Sequence, residues 1–390
     1  MLQAVFGITL LVLWVGTLLR LNPRVLVQMT QATERLGPSV PHRDPPGPFV
    51  SVVIAARNEE KHISNTLSSL KAQTYKALEV ILVDDRSEDA TSSIIQECQQ
   101  SWPTLRTIRI EALPPGWLGK NHALFEGAAS AKGEWILFTD ADIYFYPDAV
   151  ERAVNYISHN NVDHLTVPPA MLHRNYWLSA LISLFSFNLM IVFLPHLTLL
   201  RGVRTFVGVG AFNLIRQSTY RQIGTHAAFP MRPDDDLFLG KLVKEHGFRQ
   251  SFAPMHRFIE VEWYPSVRAM MNGLEKNALT PFDFSTLKMS LALLGAFLFY
   301  EGPFLGLLCH NHLARMSCLL AIVFMYTTYI SVRAFVPVRH RYFIAFPIVT
   351  LLFLFILVRA LWLFVVRGGI TWRGTFYTKE ELLHMRHEDH

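Results

Sequence analysis

The hydrophobic positions of this chain fall into two registers. In the middle of the sequence they form short runs that stop abruptly at polar residues. Elsewhere they form stretches long enough to cross a bilayer. Runs of the first kind occupy 49–56, 78–83, 105–110, 135–139 and 162–167, and each predicts a buried β-strand. Between them apolar residues take helical spacing, at Ile63, Leu67 and Leu70 and again around Ile94 and Ile95. Asn121 is placed to cap a helix over 122–131. Helices that alternate with strands ending in acids predict a doubly wound α/β sheet. The stretch 206–213, with Gly208 and Gly210, reads as a further strand whose glycines let a ligand approach the backbone. A last helix, carrying Leu237, Leu239, Leu242 and Val243, comes after Asp234-Asp235-Asp236.

The second register begins at 2–19, interrupted only by Gln3 and bordered by Arg20 and Arg24. No basic segment precedes it and no small-residue cleavage site ends it. It therefore predicts an uncleaved anchor, with the residues beyond Arg24 in the cytoplasm. Three more stretches, 287–308, 316–332 and 342–366, predict C-terminal transmembrane helices. Arg359 reads as the charge within them, with no acidic partner in its own span. The stretch 176–200 is also uncharged and long enough to span. A crossing there would place Asp142 and Asp236 on opposite sides, so it is read as lying in the membrane surface. The expected organisation is an anchor at 1–24, a Pro-rich linker at 25–48, a cytoplasmic domain at 49–285, transmembrane helices at 286–366 and a polar tail at 367–390.

Composition agrees with a mixed protein. Of 390 residues, 51% are hydrophobic and 17% charged, too apolar for an ordinary soluble domain. The formal net charge of +5 comes without a basic stripe interleaved with aromatics, so it points to a membrane surface and not to nucleic acid. Three cysteines without paired spacing exclude a zinc site or disulfide framework. No glycine-rich dinucleotide fingerprint or P-loop stands after any predicted strand.

Chemistry concentrates at the strand ends. Asp140 and Asp142 close the 135–139 run, at the edge where open α/β sheets bind ligands. Two carboxylates one residue apart can hold a divalent cation through hard oxygen ligands. SVVIAARNEE, VILVDDRSEDAT, GEWILFTDAD and RPDDDLFLGKLVKEHGF occur in that order, and together they resemble family 2 glycosyltransferases of the GT-A fold. PPGWLGKNHAL, the anchor, the late apolar hairpin and ITWRGTFY are similar to the membrane-bound lipid glycosyltransferases, of ceramide glucosyltransferase or hopanoid- and carotenoid-associated type. The resemblance implies that Arg57, Glu59 and Asp84 or Asp85 line the nucleotide pocket. It places Lys120 near the diphosphate, Asp140 on the ribose or metal, and Asp142 on Mg²⁺ or Mn²⁺. Asp236 becomes the general base, with Asp235 where the family usually has Glu.

The activity so implied is inverting transfer of one sugar from a nucleotide-diphospho-sugar such as a UDP-hexose to a lipid-like acceptor. The Q/R-x-x-R-W motif of processive polysaccharide synthases is absent after the acidic triplet; Arg268 and Glu275-Lys276-Asn277 stand in that region. A processive synthase is therefore the weaker alternative. An inactive scaffold that kept the fold is disfavoured by the intact Asp142 and Asp236.

Overall fold

The computed structural model describes residues 1–35, 47–171, 175–200, 202–254, 258–275, 278–282, 284–372 and 375–379. Residues 36–46 of the expected Pro-rich linker, together with Lys276, Asn277 and the end of the tail, lie outside the described residues, and its first part, 25–35, is helical, within Pro23–Arg35. The chain forms two compact units. One comprises residues 27–172 and 193–262, the other residues 1–26, 173–192 and 263–390.

Among the described residues, the first unit is built on ten strands: β1 (Val50–Ala56), β2 (Leu78–Asp85), β3 (Arg106–Ile110), β4 (Trp135–Asp140), β5 (Tyr144–Phe145), β6 (His164–Thr166), β7 (Ala170–Met171), β8 (Asn213–Arg216), β9 (Gln250–Phe252) and β10 (Ile259–Val261). Seven of them make one sheet in the order β3-β2-β1-β4-β8-β6-β9, and β5, β10 and β7 make a small second one. The pairs β1–β2, β2–β3 and β1–β4 are parallel, while β8 runs antiparallel to both β4 and β6. The sheet is thus mixed, parallel over the half the five predicted runs emphasise. Strands buried on both faces need continuous apolar runs, and Val52, Val53, Ile54, Ile81, Leu82, Ile136 and Leu137 are all essentially inaccessible.

Helices Gly119–Ala129 and Asp235–Glu245 share one buried cluster with the sheet, through Ala123, Leu124, Leu239 and Val243 against Val53, Val83, Ile136 and Phe138. Gly127 permits the approach, since a Cβ there would stand 2.4 Å from Val53 Cγ1. From β3 the chain returns to the other side of β1 to form β4. That reversal opens a crevice at the carboxyl ends of β1 and β4, the usual ligand position in such sheets.

Two sequence expectations are corrected here. Residues 206–212 are not a strand; regular pairing begins only at Asn213. Gly208 lets the helix Asp235–Glu245 approach, while Gly210 lines the cleft beside Asp140, Lys120 and Asp236. A Cβ on Gly208 would lie 1.7 Å from the Asp236 carbonyl oxygen, and Gly240 meets Val207 as closely. Asn121 does not cap a helix either. The helix starts at Gly119, and Asn121 sits buried in its first turn.

The second unit holds the apolar helices Leu2–Leu21, Tyr176–Phe193, Thr286–Gly306, His312–Ser331 and Phe346–Arg367, and a hairpin of β11 (Gly369–Trp372) and β12 (Thr375–Thr378). Among the described residues, five helical stretches are long and apolar enough to cross a membrane, Tyr176–Phe193 included. That helix stops at Phe193, short of the expected 200. Leu194 takes a left-handed φ of 47°, and Pro195 then opens a 3-10 turn. Residues 173–192 and 263–285 group with the helices and not with the sheet. Ser183 bonds to Tyr329 and Asn188 to Tyr300 within this unit. Arg359 has its acidic partner outside its own span. Glu275, on the helix Val267–Glu275, binds Arg359 at 3.1 Å and Arg367 at 2.8 Å. Nor is Arg359 the lone charge of the apolar helices, because buried Glu301 lies within Thr286–Gly306 and accepts from Thr350.

Candidate active site

The crevice is levelled by strand register. Ala56 on β1 stands opposite Asp84 on β2, and Ala55 opposite Asp140 on β4, so the three strands end together. The loops beyond them are stitched to each other. The Asn58 amide donates to Ser87 Oγ at 3.1 Å, Glu88 to Asn58 Oδ1 at 2.9 Å, and Glu59 to Thr91 Oγ1 at 2.7 Å. Asn58 takes φ 56° to make this possible, a conformation asparagine tolerates better than most residues. Arg57 and Glu59 are thereby held on the rim beside the buried pair Asp84 and Asp85.

Asp84 and Asp85 are engaged differently. Asp84 accepts the Ser87 amide at 3.1 Å, closing the turn after β2. Asp85 is gripped by Arg86 through two bonds, of 2.7 and 3.2 Å. A Cβ on Gly119 would meet Asp85 Oδ2 at 2.1 Å, so the missing side chain lets this helix start cover the carboxylate as it stands.

The acidic centre is assembled by Lys120. Its ammonium lies 3.0 Å from Asp140 Oδ1 and 3.3 Å from Asp235 Oδ1. Burial alone would lower its pKa, but Asp140, Asp235 and Asp236 overcompensate and raise it, so it stays a cation. Asp236 faces the same cleft. Its Oδ2 accepts the Gly210 amide at 2.7 Å and its Oδ1 the Leu237 amide at 2.7 Å. Burial, and next the charge of Asp235, push its pKa up to about 7. Asp235 is shifted upward by burial first. Asp234 stands apart, bound by the Arg232 guanidinium through two bonds at 3.0 and 2.9 Å. The three adjacent acids, alike in sequence, thus have three environments. Asp142 is displaced upward to about 6, by burial and then by Asp140.

Other residues of this centre gave no sign of their role in the sequence. Asn121 Nδ2 donates to the carbonyls of Phe229, Pro230 and Arg232 at 3.0, 3.1 and 2.9 Å, tying the Lys120 helix to the segment before the acidic triplet. Tyr220 Oη accepts the His226 amide at 3.1 Å and lies 2.7 Å from His226 Nδ1. His226, which lines the cleft, is held neutral by burial and then by Lys120. Behind the cleft, Gln250 joins the Val207 amide, the Gly240 carbonyl and His164 Nδ1, while His164 Nε2 reaches Asn213.

Residues 51–224 match the family described as Glycosyl transferase family 2. The beta-monoglucosyldiacylglycerol synthase of Synechocystis sp. is 33% identical over 136 residues, which are 34% of this chain and 28% of the relative. The 4,4'-diaponeurosporenoate glycosyltransferase of Staphylococcus haemolyticus is 25% identical over 169 residues, 43% of this chain and 40% of the relative. The chain spans less than half the length of these relatives. A mannosyltransferase from Pyrobaculum calidifontis, solved in complex with GDP-Man and Mn²⁺, superposes with a TM-score of 0.52 at 17% identity, over 92% of this chain and 99% of that one. The likeness shows a shared GT-A fold. With the sheet, its crevice and the motif order in agreement, residues 51–224 of this chain are a family 2 glycosyltransferase domain.

Proposed function

We propose that this protein is a membrane-bound, inverting glycosyltransferase that moves one sugar from a nucleotide-diphospho-sugar to a lipid-type acceptor. The observation that carries the reading is the environment of Asp236. It is a half-buried carboxylate whose pKa is pushed up to about 7, beside a cation shared by Asp140 and Asp235. A general base works best with a pKa near the operating pH. In this reading Asp236 takes the proton of the acceptor hydroxyl while that oxygen attacks the anomeric carbon. The bond to the nucleotide diphosphate breaks on the opposite face, and the configuration inverts. Lys120 offsets the diphosphate charge; Arg57, Glu59 and Asp84 or Asp85 hold the nucleoside.

A divalent cation, Mg²⁺ or Mn²⁺, fits beside Asp140 and Asp142. The upward shift of Asp142 reflects burial and a neighbouring carboxylate with too little positive charge between them, which a cation would supply. Among the described residues no group of three or more His, Cys, Asp or Glu side chains forms a metal cage. One or two carboxylates completed by substrate phosphates are the donor set Mg²⁺ usually takes. When bound, the cation would neutralise charge on the leaving diphosphate.

The lipid acceptor is supported by the names of the two relatives, which specify a diacylglycerol and a diaponeurosporenoate as what they glycosylate. It is supported also by the five apolar helices. Tyr176–Phe193 does not cross the bilayer in this reading. The strands on either side of it in sequence, β6 and β8, pair with each other, with His164 opposite Ile215, so both flanks lie on one side, proposed as the cytoplasm. The test is nucleotide release by the purified full chain, with a panel of nucleotide sugars, with and without lipid extract. Release that requires both a sugar donor and lipid is expected. Donor hydrolysis or chain elongation regardless of lipid would sink the reading, the latter in favour of a processive synthase.

A further inference from the structure

Between Glu301 and Glu380 the chain contains no acidic residue, yet it holds Arg333, Arg339 and Arg341 in one connection between apolar helices. All three are exposed. So are Arg20 and Arg24, at and just after the end of the first helix. Packing within the helical unit brings the two clusters to one end. The Asn311 amide bonds to Gln3 Oε1 at 3.2 Å, and a Cβ on Gly7 would touch the Ala314 carbonyl at 2.8 Å. Helices Leu2–Leu21 and His312–Ser331 therefore run parallel, start beside start. Thr286–Gly306 runs against them, since Trp14 stacks on Phe299 at 4.1 Å while Gly306 approaches Phe6 and Cys318. Arg20 and Arg24 thus leave one helix at the same end at which Arg333, Arg339 and Arg341 extend the other. None of the five is held in an ion pair with a described residue. Arg341 lies over the Tyr342 ring at 4.9 Å, an aromatic and cation pairing common at bilayer interfaces.

We infer that these five arginines form a docking surface for anionic phospholipid headgroups, on the leaflet where the helices Leu2–Leu21 and His312–Ser331 end. Charge complementarity selects the partner. Five guanidiniums without acidic neighbours among the described residues, flanked by helices whose outer faces are apolar, match a layer of phosphates above acyl chains and not an acidic protein. The opposite end of the same helices carries Gln3, His310, His312 and Arg315, a much weaker basic field.

The test uses the full chain in neutral detergent micelles, with retained lipid read by native mass spectrometry. The probes are phosphatidylglycerol, phosphatidylcholine and inorganic phosphate. Phosphatidylglycerol should be retained in preference to phosphatidylcholine, and the preference should collapse at high salt. One basic residue near a charged surface contributes about fivefold, so Arg333→Gln/Arg339→Gln/Arg341→Gln should lose about a hundredfold. Arg339→Lys/Arg341→Lys should keep most of the preference, and Arg315→Gln all of it. Equal retention of both lipids, or an equal loss in Arg315→Gln, would overturn the inference. Displacement by millimolar inorganic phosphate would reassign the surface to free phosphate. If the triple variant does not fold, the wild-type salt dependence decides, since a preference that survives high salt is not electrostatic.

Discussion

Replacing Lys120 by methionine isolates the electrostatics of the acidic centre. The side chain is nearly isosteric, and Lys120 is largely buried between Asp140 and Asp235. Of the two contacts, that to Asp140 counts for little, because Asp140 is 40% exposed and screened by water. The contact to Asp235, whose side chain is 6% exposed, belongs to the class where removing one partner strands a buried charge, at a cost of about 3–5 kcal/mol. Taking the lower end, because Asp235 can relax by binding a proton, Lys120→Met should lose about 3 kcal/mol. For a domain of this size that lowers Tm by about 6–12 °C. The second half of the cycle decides the cause. Lys120→Met/Asp235→Asn removes the stranded charge and should recover at least about half of the loss, whereas independent sites would add their costs. Differential scanning calorimetry of the full chain, without nucleotide, gives both numbers. A double variant less stable than Lys120→Met would refute the ion-pair account, as would a single variant with an unchanged Tm.

Three further outcomes rest on the same geometry. Asp236→Asn should cut turnover by about 10²–10⁴-fold with donor affinity near wild type. Asp234→Asn, which only loses Arg232, should do little, and Asp235→Asn should fall between; normal turnover in Asp236→Asn beside a dead Asp235→Asn would move the base by one residue. Asp142→Asn should abolish activity supported by Mg²⁺ or Mn²⁺ while the protein stays folded, and full activity in EDTA would exclude the metal. His164 is buried with its pKa lowered to about 4 by desolvation. The unfolded chain therefore binds the extra proton first, so the stability it protects is complete above about pH 6.5 and declines, by up to about 3 kcal/mol, as pH falls towards 4. Urea titrations at several pH values should show that slope flattened in His164→Gln, and an unchanged slope would mean other groups carry it.

How much of this was legible beforehand depended on whether the signal was local. Strands β1, β2 and β4 are buried on both faces, so their apolar runs and terminal acids named them directly. Residues 206–212 misled because glycine and apolar residues suit a strand equally well. What fixes their path is the backbone of Asp236, far along the chain. Asn121 looked like a cap for the same reason; its three acceptors lie 108 to 111 positions away. The Glu275 partner of Arg359 was invisible because it comes from another helix. By contrast Glu301 was in plain view, and was lost inside a long apolar run. Which of Asp234, Asp235 and Asp236 sits beside which cation is likewise a tertiary fact, since a string of identical acids contains no information about its neighbours.

The pairing of β6 with β8 also sets a race during synthesis. Strands β1 to β7 are made before the apolar helix Tyr176–Phe193, but β8, the strand that β4 and β6 share, begins only at Asn213. At about 5–20 residues per second, the ribosome completes the helix roughly 1–4 s before β8 begins. In that interval the insertion machinery meets a hydrophobic segment of spanning length. Nothing yet ties its downstream flank to the sheet. In the proposed topology, waiting wins over insertion. Hydropathy alone does not hold the segment back, since its mean of 1.8 exceeds the 1.4 of Thr286–Gly306 and the 1.6 of His312–Ser331 even with Ser183, Ser186 and Asn188 in it. Substituting them by leucine would tilt the race, producing chains in which β8 is delivered to the wrong side and the sheet never closes.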